Sequence, residues 1–238
     1  QGLILQNSGQ IRKSIQYFQK AIFIQKDNYA AKNNLANAHK SLFKFKEAEI
    51  LYKEIIRDDL RNIKVLNNYS NLKREFNQYQ EAKELLLKAL KIESNNVNIL
   101  LNLAICCQGI GETNDAKNFV LKILDIEPKN TSAHKLLSTL TDYKDNQKHL
   151  ERMRELTDKE IFRQFSSTQK VELLFALSKA YEDIKDFENS FNFLRQANLI
   201  ENQSNIQEIE NIKKLFDDIK RLFNSIKINQ SKLEKENK

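Results

Sequence analysis

Glycine and proline are nearly missing from this chain, with four glycines and one proline in 238 residues. Sheets and loop-rich enzymes use those residues at tight turns, and helix interiors are damaged by them. Their scarcity points to an almost wholly helical protein. Tryptophan is absent, leaving 14 phenylalanines and 7 tyrosines as the aromatic bulk. No stretch approaches the roughly 20 apolar residues that a membrane helix needs. The only cysteines, Cys106 and Cys107, are adjacent and make no disulfide framework, which fits a reducing, cytoplasmic compartment. The text opens on Gln1 rather than methionine, which leaves room for an upstream signal peptide.

What is present is charge and a repeat. The formal net charge is +7, with an isoelectric point near 9.2. A nucleic-acid reader gathers such charge into a stripe with aromatics between. Here most lysines alternate with glutamates along helical stretches, the pattern of solvated faces. Neither nucleic acid nor a membrane is expected as a partner.

Self-comparison organises the first half. Ser14, Ala48, Ala82 and Ala116 recur at intervals of 34, as do Phe18, Tyr52, Leu86 and Val120. Ala21, Ile55, Ala89 and Ile123 keep the same step, and so do Gly2, Ala36, Ser70 and Ala104. Small residues in two of these series let one helix cross another closely while larger neighbours interlock around the contact. Asn28, Asn62, Asn96 and Asn130 recur just before each first helix, where an asparagine side chain can cap an orphan amide. Gly9, Phe43, Asn77 and Gly111 fall at the turn inside each unit.

This pattern resembles the tetratricopeptide repeat (TPR), a helix–turn–helix unit of that length. The resemblance implies an all-α, right-handed solenoid, because one helix pair cannot bury its apolar stripe alone. Residues 1–130 read as a truncated first unit and three full ones, and 131–169 as an irregular unit. Residues 170–200 read as a further unit, since Leu174, Leu177, Ser178, Tyr181, Phe187, Ser190, Leu194 and Ala197 match the frame. Residues 201–238 read as a terminal helix and charged tail, the helix carried by Ile209, Ile212, Leu215, Phe216, Ile219, Leu222 and Phe223. Thr157 with Glu160 reads as a capping box.

A second likeness lies in the same half. "AHKLLSTLTDY", "HLERMREL" and "LLFALSKAYEDIKDFENSFNFLRQAN" resemble the region that joins TPR units to the catalytic domain in bacterial TPR–sulfotransferase fusions. It covers about residues 131–228. That likeness implies a sulfotransferase domain, with PAPS as cofactor, after Lys238. The phosphate-binding loop of that family is not in this text, because no glycine follows Gly111 and no proline follows Pro128. The chain as given is therefore expected to transfer no sulfate and to hold no cofactor. A stand-alone TPR scaffold and the TPR region of a glycosyltransferase are the alternatives.

Signals of chemistry are few. Gly109-Ile110-Gly111 looks like the start of a phosphate loop, but a helix precedes it and Asn114 stands where a third glycine would be. It reads as a turn. Cys106 and Cys107 have no second Cys or His pair at ligand spacing and read as small core residues. His39, His134 and His149 make no metal or acid–base motif. No catalytic or metal-binding residue is expected.

One pattern points to binding. Asn34, Asn68 and Asn102 recur at steps of 34 on three first helices, with Asn37 and Asn71 one turn on. In TPR proteins first helices line the concave groove, and a ladder of amides there can bond an extended peptide backbone. The arrangement resembles the asparagine ladder in the TPR region of the O-linked GlcNAc transferase. Asparagine is abundant throughout this chain, so a chance accumulation is the competing reading. Asn33, Asn37 and Asn68 also stand near the positions of a two-carboxylate clamp. Asn98 and Asn102 occupy the places where that clamp needs Lys and Arg, which argues against capture of a chain terminus.

Overall fold

A computed structural model describes residues 1–144 and 147–203, and the single positions 213, 214, 217, 220 and 221. The apolar positions expected to form a terminal helix, Ile209 to Phe223, lie outside the described residues. Every described element is a helix, and there is no strand among the described residues. The chain divides into two compact units, Gln1–Leu140 and Thr141–Lys238.

The first unit runs α1 (Gly2–Asn7), α2 (Ile11–Ile24), α3 (Tyr29–Ser41), α4 (Phe45–Asp58), α5 (Ile63–Glu75), α6 (Tyr79–Ile92), α7 (Val97–Gly109), α8 (Thr113–Ile126) and α9 (Thr131–Leu140). Of these, α1, α3, α5 and α7 are the first of each pair, and each packs on the even-numbered helix that follows, while α9 packs on α8. The 34-residue series mark the crossings. Fifteen of their sixteen positions are buried, and Ala21 is half-buried. At Gly2 the close approach is direct: a Cβ there would stand 2.6 Å from the Phe18 ring.

Neighbouring pairs share core. Ala36, Ala48, Tyr52 and Ile55 of one pair enclose Val65, Tyr69 and Leu72 of the next first helix. Leu66, Ala82, Leu86 and Ala89 do the same with Ile99, Leu103 and Cys106. Ala133 and Leu137 of α9 close the row against Leu100, Ala104, Val120 and Ile123. The core thus runs from pair to pair, and each pair buries part of its apolar surface against its neighbour.

Two local devices hold the spacing. The asparagine caps form as expected: Oδ1 of Asn28, Asn62, Asn96 and Asn130 accepts from the amide three residues on, at 2.9, 3.3, 3.2 and 2.9 Å. At the turn inside each pair the chain enters the left-handed region, at Gly9 (φ 77°), Phe43 (58°), Asn77 (57°) and Gly111 (83°). In each case the next residue's amide donates back to a carbonyl five residues earlier, as from Lys44 to His39 at 2.9 Å and from Glu112 to Cys107 at 2.8 Å. That bond closes the helix end by the Schellman motif.

The second unit contains α10 (Gln147–Glu155), α11 (Lys159–Gln164), α12 (Ser167–Asp183) and a helix α13 over residues 187–203. Tyr143, Met153, Leu173, Leu177 and Ala180 lie at the centre of its core. The expected capping box at Thr157 and Glu160 is not formed. Thr157 Oγ1 donates back to the Arg154 carbonyl at 2.7 Å, and Asp158 caps α11 through the Glu160 amide at 3.0 Å. Asp158 wins because its carboxylate can only accept at a helix start, while a hydroxyl can donate backwards. A reciprocal box stands one helix later, between Ser166 and Gln169.

The α12–α13 pair keeps the frame of the repeats. Lys185 takes the left-handed turn position at φ 63°, and Ser178 Oγ meets Ser190 Oγ at 3.3 Å where the two helices cross. Leu194 differs from its counterparts Phe18, Tyr52, Leu86 and Val120. They are buried, and it is 36% exposed. Phe187 and Phe191 are exposed beside it. Among the described residues no further first helix packs there.

Candidate groove on the first helices

The first helices α3, α5, α7 and α9 lie side by side in unit 1, and a polar seam joins them. Asn68 Nδ2 donates to Asn33 Oδ1 at 3.0 Å, from α5 to α3. Asn102 Nδ2 donates to Asn67 Oδ1 at 2.8 Å, from α7 to α5. Gln108 Nε2 donates to Thr139 Oγ1 at 3.0 Å, from α7 to α9. The spacing repeats because helix, turn and crossing repeat. In the two asparagine bonds the partners stand 35 positions apart, and Gln108 and Thr139 stand 31 apart.

The five asparagines picked out by spacing take different parts. Asn68 and Asn102 belong to the seam. Asn37 Oδ1 accepts from the Tyr52 hydroxyl at 2.6 Å, which satisfies a phenol that is otherwise buried. Asn71 Oδ1 accepts from Arg74 Nη1 at 3.2 Å. Asn34 is half-buried and its amide makes no hydrogen bond to any described residue. The ladder is not a row of idle amides, since much of its capacity ties one repeat to the next.

Spacing alone missed three participants. Asn33 and Asn67 are the acceptors of the seam, one residue before the ladder series. Arg74 is the third: its Nη1 also donates to Asn102 Oδ1 at 2.6 Å, and its buried Nε has no partner among the described residues. Lys40, Arg74 and Gln108 recur at steps of 34, a signal as regular as the asparagines. Lys40 reaches Glu75 across the helices at 3.0 Å. Together Lys40, Asn71, Arg74, Glu75, Tyr79 and Ile105 line an open pocket of about 350 Å³.

The other candidates are structural. Gly109 ends α7 with its Cα against the Tyr79 ring, where a Cβ would come within 2.8 Å, and Gly111 makes the left-handed turn. No phosphate cradle forms there. Cys106 and Cys107 are free and fully buried, and desolvation raises their thiols to about 11 and about 12. Such thiols stay protonated at neutral pH and are poor nucleophiles. His134 is buried with Nε2 2.9 Å from the Pro128 carbonyl, and His149 Nδ1 lies 2.5 Å from the Tyr143 hydroxyl. His39 keeps a buried Nδ1 with no partner among the described residues, and burial lowers its pKa. No group of three His, Cys, Asp or Glu residues among those described could hold a metal.

One charge cluster around the buried Lys73 ties α4, α5 and α6 together. Glu49 Oε1 accepts from the Tyr69 hydroxyl at 2.7 Å and lies 3.1 Å from Lys73, which also meets Glu81 at 2.8 Å. The Tyr69 hydrogen bond, then Lys53 and Lys73, pull the Glu49 carboxyl down to about 2 against its own desolvation. The Tyr69 phenol is raised to about 12, by burial first and then by Glu49.

Paired helices on a 34-residue pitch, crossing through small side chains and joined by a seam along one row, define an α-solenoid. Models of the tetratricopeptide repeat match residues 1–28, 30–58, 74–140 and 171–204, together more than half of the chain. The protein belongs to the tetratricopeptide repeat family. Among solved structures it is similar to Pseudomonas aeruginosa PilF, at 21% identity and a TM-score of 0.63 over 82% of this chain and 86% of that one. MamA from Desulfovibrio magneticus RS-1 is 14% identical with a TM-score of 0.59, over 69% and 93%. YrrB, described as a TPR protein with an unusual peptide-binding site, is 17% identical with a TM-score of 0.57, over 77% and 91%. At these identities the likeness is one of fold. No curated protein matches. Among the described residues no helix is long and apolar enough to cross a membrane.

Proposed function

We propose that the first-helix face of unit 1 binds an extended polypeptide, and that the protein acts through recognition and not through a reaction of its own. The observation that carries this reading is the seam itself: amides on α3, α5 and α7 stand at one repeat pitch, with hydrogen-bonding groups left over after the seam is made. A strand-like peptide presents backbone groups at regular intervals, and amides can bond them whatever the peptide's sequence. YrrB offers a precedent for peptide binding on this fold. Replacing Asn34, Asn68 and Asn102 by Ala tests it against peptides selected on the wild-type chain. Asn34→Ala is the cleanest of the three, because that amide has no bond within the protein to lose. Affinity that survives all three replacements removes the proposal.

The finer reading is that the groove presents a polypeptide to a PAPS-dependent sulfotransferase domain. It rests on the resemblance of residues 131–228 to the fusion proteins and on nothing in the geometry of the described helices. A stand-alone scaffold fits the same geometry. The coding sequence downstream of Lys238 separates the two. A strand followed by a Gly-Ser/Thr phosphate loop supports the fusion, further repeats or a stop support the scaffold, and a sugar-nucleotide site supports the glycosyltransferase alternative.

A further inference from the structure

We infer that the occupant of this groove is an acidic peptide segment, with a side-chain carboxylate received by Arg74. The inference rests on the peptide-groove reading and adds the chemistry of the partner. A guanidinium has donors and no acceptor. Arg74 therefore obliges Asn71 and Asn102 to turn their oxygens toward it. With its oxygen facing Arg74, Asn102 presents its NH2 to Asn67, whose oxygen accepts. One arginine thus sets the direction of hydrogen bonding across two helices.

The rest of the seam runs in the same sense. Asn33 gives its oxygen to Asn68, and Asn37 gives its oxygen to the Tyr52 hydroxyl. The oxygens of Asn33, Asn37, Asn67, Asn71 and Asn102 then each accept one bond inside the protein. The NH2 groups of Asn33, Asn37, Asn67 and Asn71 make no hydrogen bond to any described residue. Against those four donors, Asn68 keeps one unspent oxygen and Asn34 keeps both ends of its amide. A peptide backbone supplies donors and acceptors equally, so a surface left rich in donors favours a ligand with extra acceptors. Carboxylates are the strongest acceptors a polypeptide carries.

Charge agrees with hydrogen-bond polarity. Apart from the buried Lys32 and Lys73, the Lys, Arg and acidic residues of α3 and α5 are the half-buried Lys40 and Arg74 and the exposed Lys64 and Glu75. Glu75 is occupied by Lys40, while Arg74 and Lys64 make no ion pair with any described residue. The pocket of about 350 Å³ beside Arg74 and Lys40 has room for an Asp or Glu side chain. Capture of a chain-terminal carboxylate by the two-carboxylate arrangement remains disfavoured by Asn98 and Asn102. The cation here is Arg74, at a different place on its helix.

The test uses the full chain and random dodecapeptides displayed on phage. Selected peptides are synthesised and titrated by fluorescence anisotropy against wild type, Arg74→Gln, Lys64→Gln and Asn34→Ala, with melting temperatures recorded for each. The expected result is a net-acidic set whose affinity falls about tenfold in Arg74→Gln, the size of one charge-assisted hydrogen bond. Changing the critical Glu or Asp of the peptide to Gln or Asn should cost the same in wild type and nothing further in Arg74→Gln. Lys64 is exposed, so Lys64→Gln folds regardless and should weaken binding most at low salt. Neutral or basic peptides that still depend on Asn34 overturn the acidic occupant and leave the groove standing. Selected peptides indifferent to Asn34, Arg74 and Lys64 alike overturn both.

Discussion

The left-handed turn at Lys185 allows the sharpest test of the repeat frame. Its φ of 63° belongs to a region that costs an ordinary L-residue roughly 1–2 kcal/mol and costs glycine almost nothing. Lys185→Gly relieves that strain but gives the unfolded chain more freedom, worth about 0.5–1 kcal/mol in the opposite direction. The balance is a stabilisation of about 0.5–1 kcal/mol. Lys185 is exposed and makes no ion pair with any described residue, so no side-chain contact offsets the gain. Phe43→Gly is a poorer probe, because the edge contact of Phe43 with Phe45, at 5.9 Å between ring centres, would be lost with it. Gly111→Ala is the mirror experiment. A Cβ there meets nothing within 4 Å, so its expected net cost of about 0.5–1 kcal/mol is the same balance of backbone strain against unfolded-chain freedom, with no clash added. Guanidinium titrations followed by circular dichroism measure both. If Lys185→Gly lowers stability, or Gly111→Ala leaves it unchanged, the shared left-handed turn is not what fixes the pairing of helices.

Other outcomes follow from burial and charge. Ala82→Leu inserts a side chain at a crossing with no exposed surface and should cost about 1–3 kcal/mol, read as a lower melting temperature. Asn102→Ala removes the acceptor of Arg74 and the donor to Asn67, and should cost about 1–3 kcal/mol at a partly buried cation. Glu49 is depressed in the folded state, so its contribution is present above its ordinary pKa of 4.5 and is lost as pH falls toward 2. Glu49→Gln should flatten the stability profile across that window, by about 1–2 kcal/mol after allowing for the partial exposure of the group. Cys106 and Cys107 should react with a thiol reagent only as fast as the chain opens, and at once in denaturant.

What was legible in the sequence was whatever the repeat forces to recur. A crossing that must be small and a cap that must accept each show as the same kind of residue every 34 positions. Lys185 and Phe43 show the limit of that method. Their backbone is that of Gly9 and Gly111, yet no residue preference announces it, because a stacked fold can carry the strain. The groove was half legible. The asparagine series named the helices on which the seam forms, but which end of each amide is free depends on partners one residue or one repeat away. Arg74 carried a regular signal, in step with Lys40 and Gln108, and was missed because the positions differ in residue type. Asp158 in place of Thr157 as a cap is a choice between neighbouring side chains that spacing cannot make. The exposure of Leu194 follows from what does or does not stack beyond it, which its own frame position does not encode.

The central claim is that the spare amides of α3 and α5 meet the partner. Side-chain NH2 signals of asparagine are resolved in ¹⁵N correlation spectra, and they can be followed as a selected acidic peptide is added. The claim requires the signals of Asn33, Asn34, Asn67 and Asn71 to shift together and to saturate at the affinity found by anisotropy. Shifts confined to the second helices, with those four signals unmoved at saturation, would contradict it.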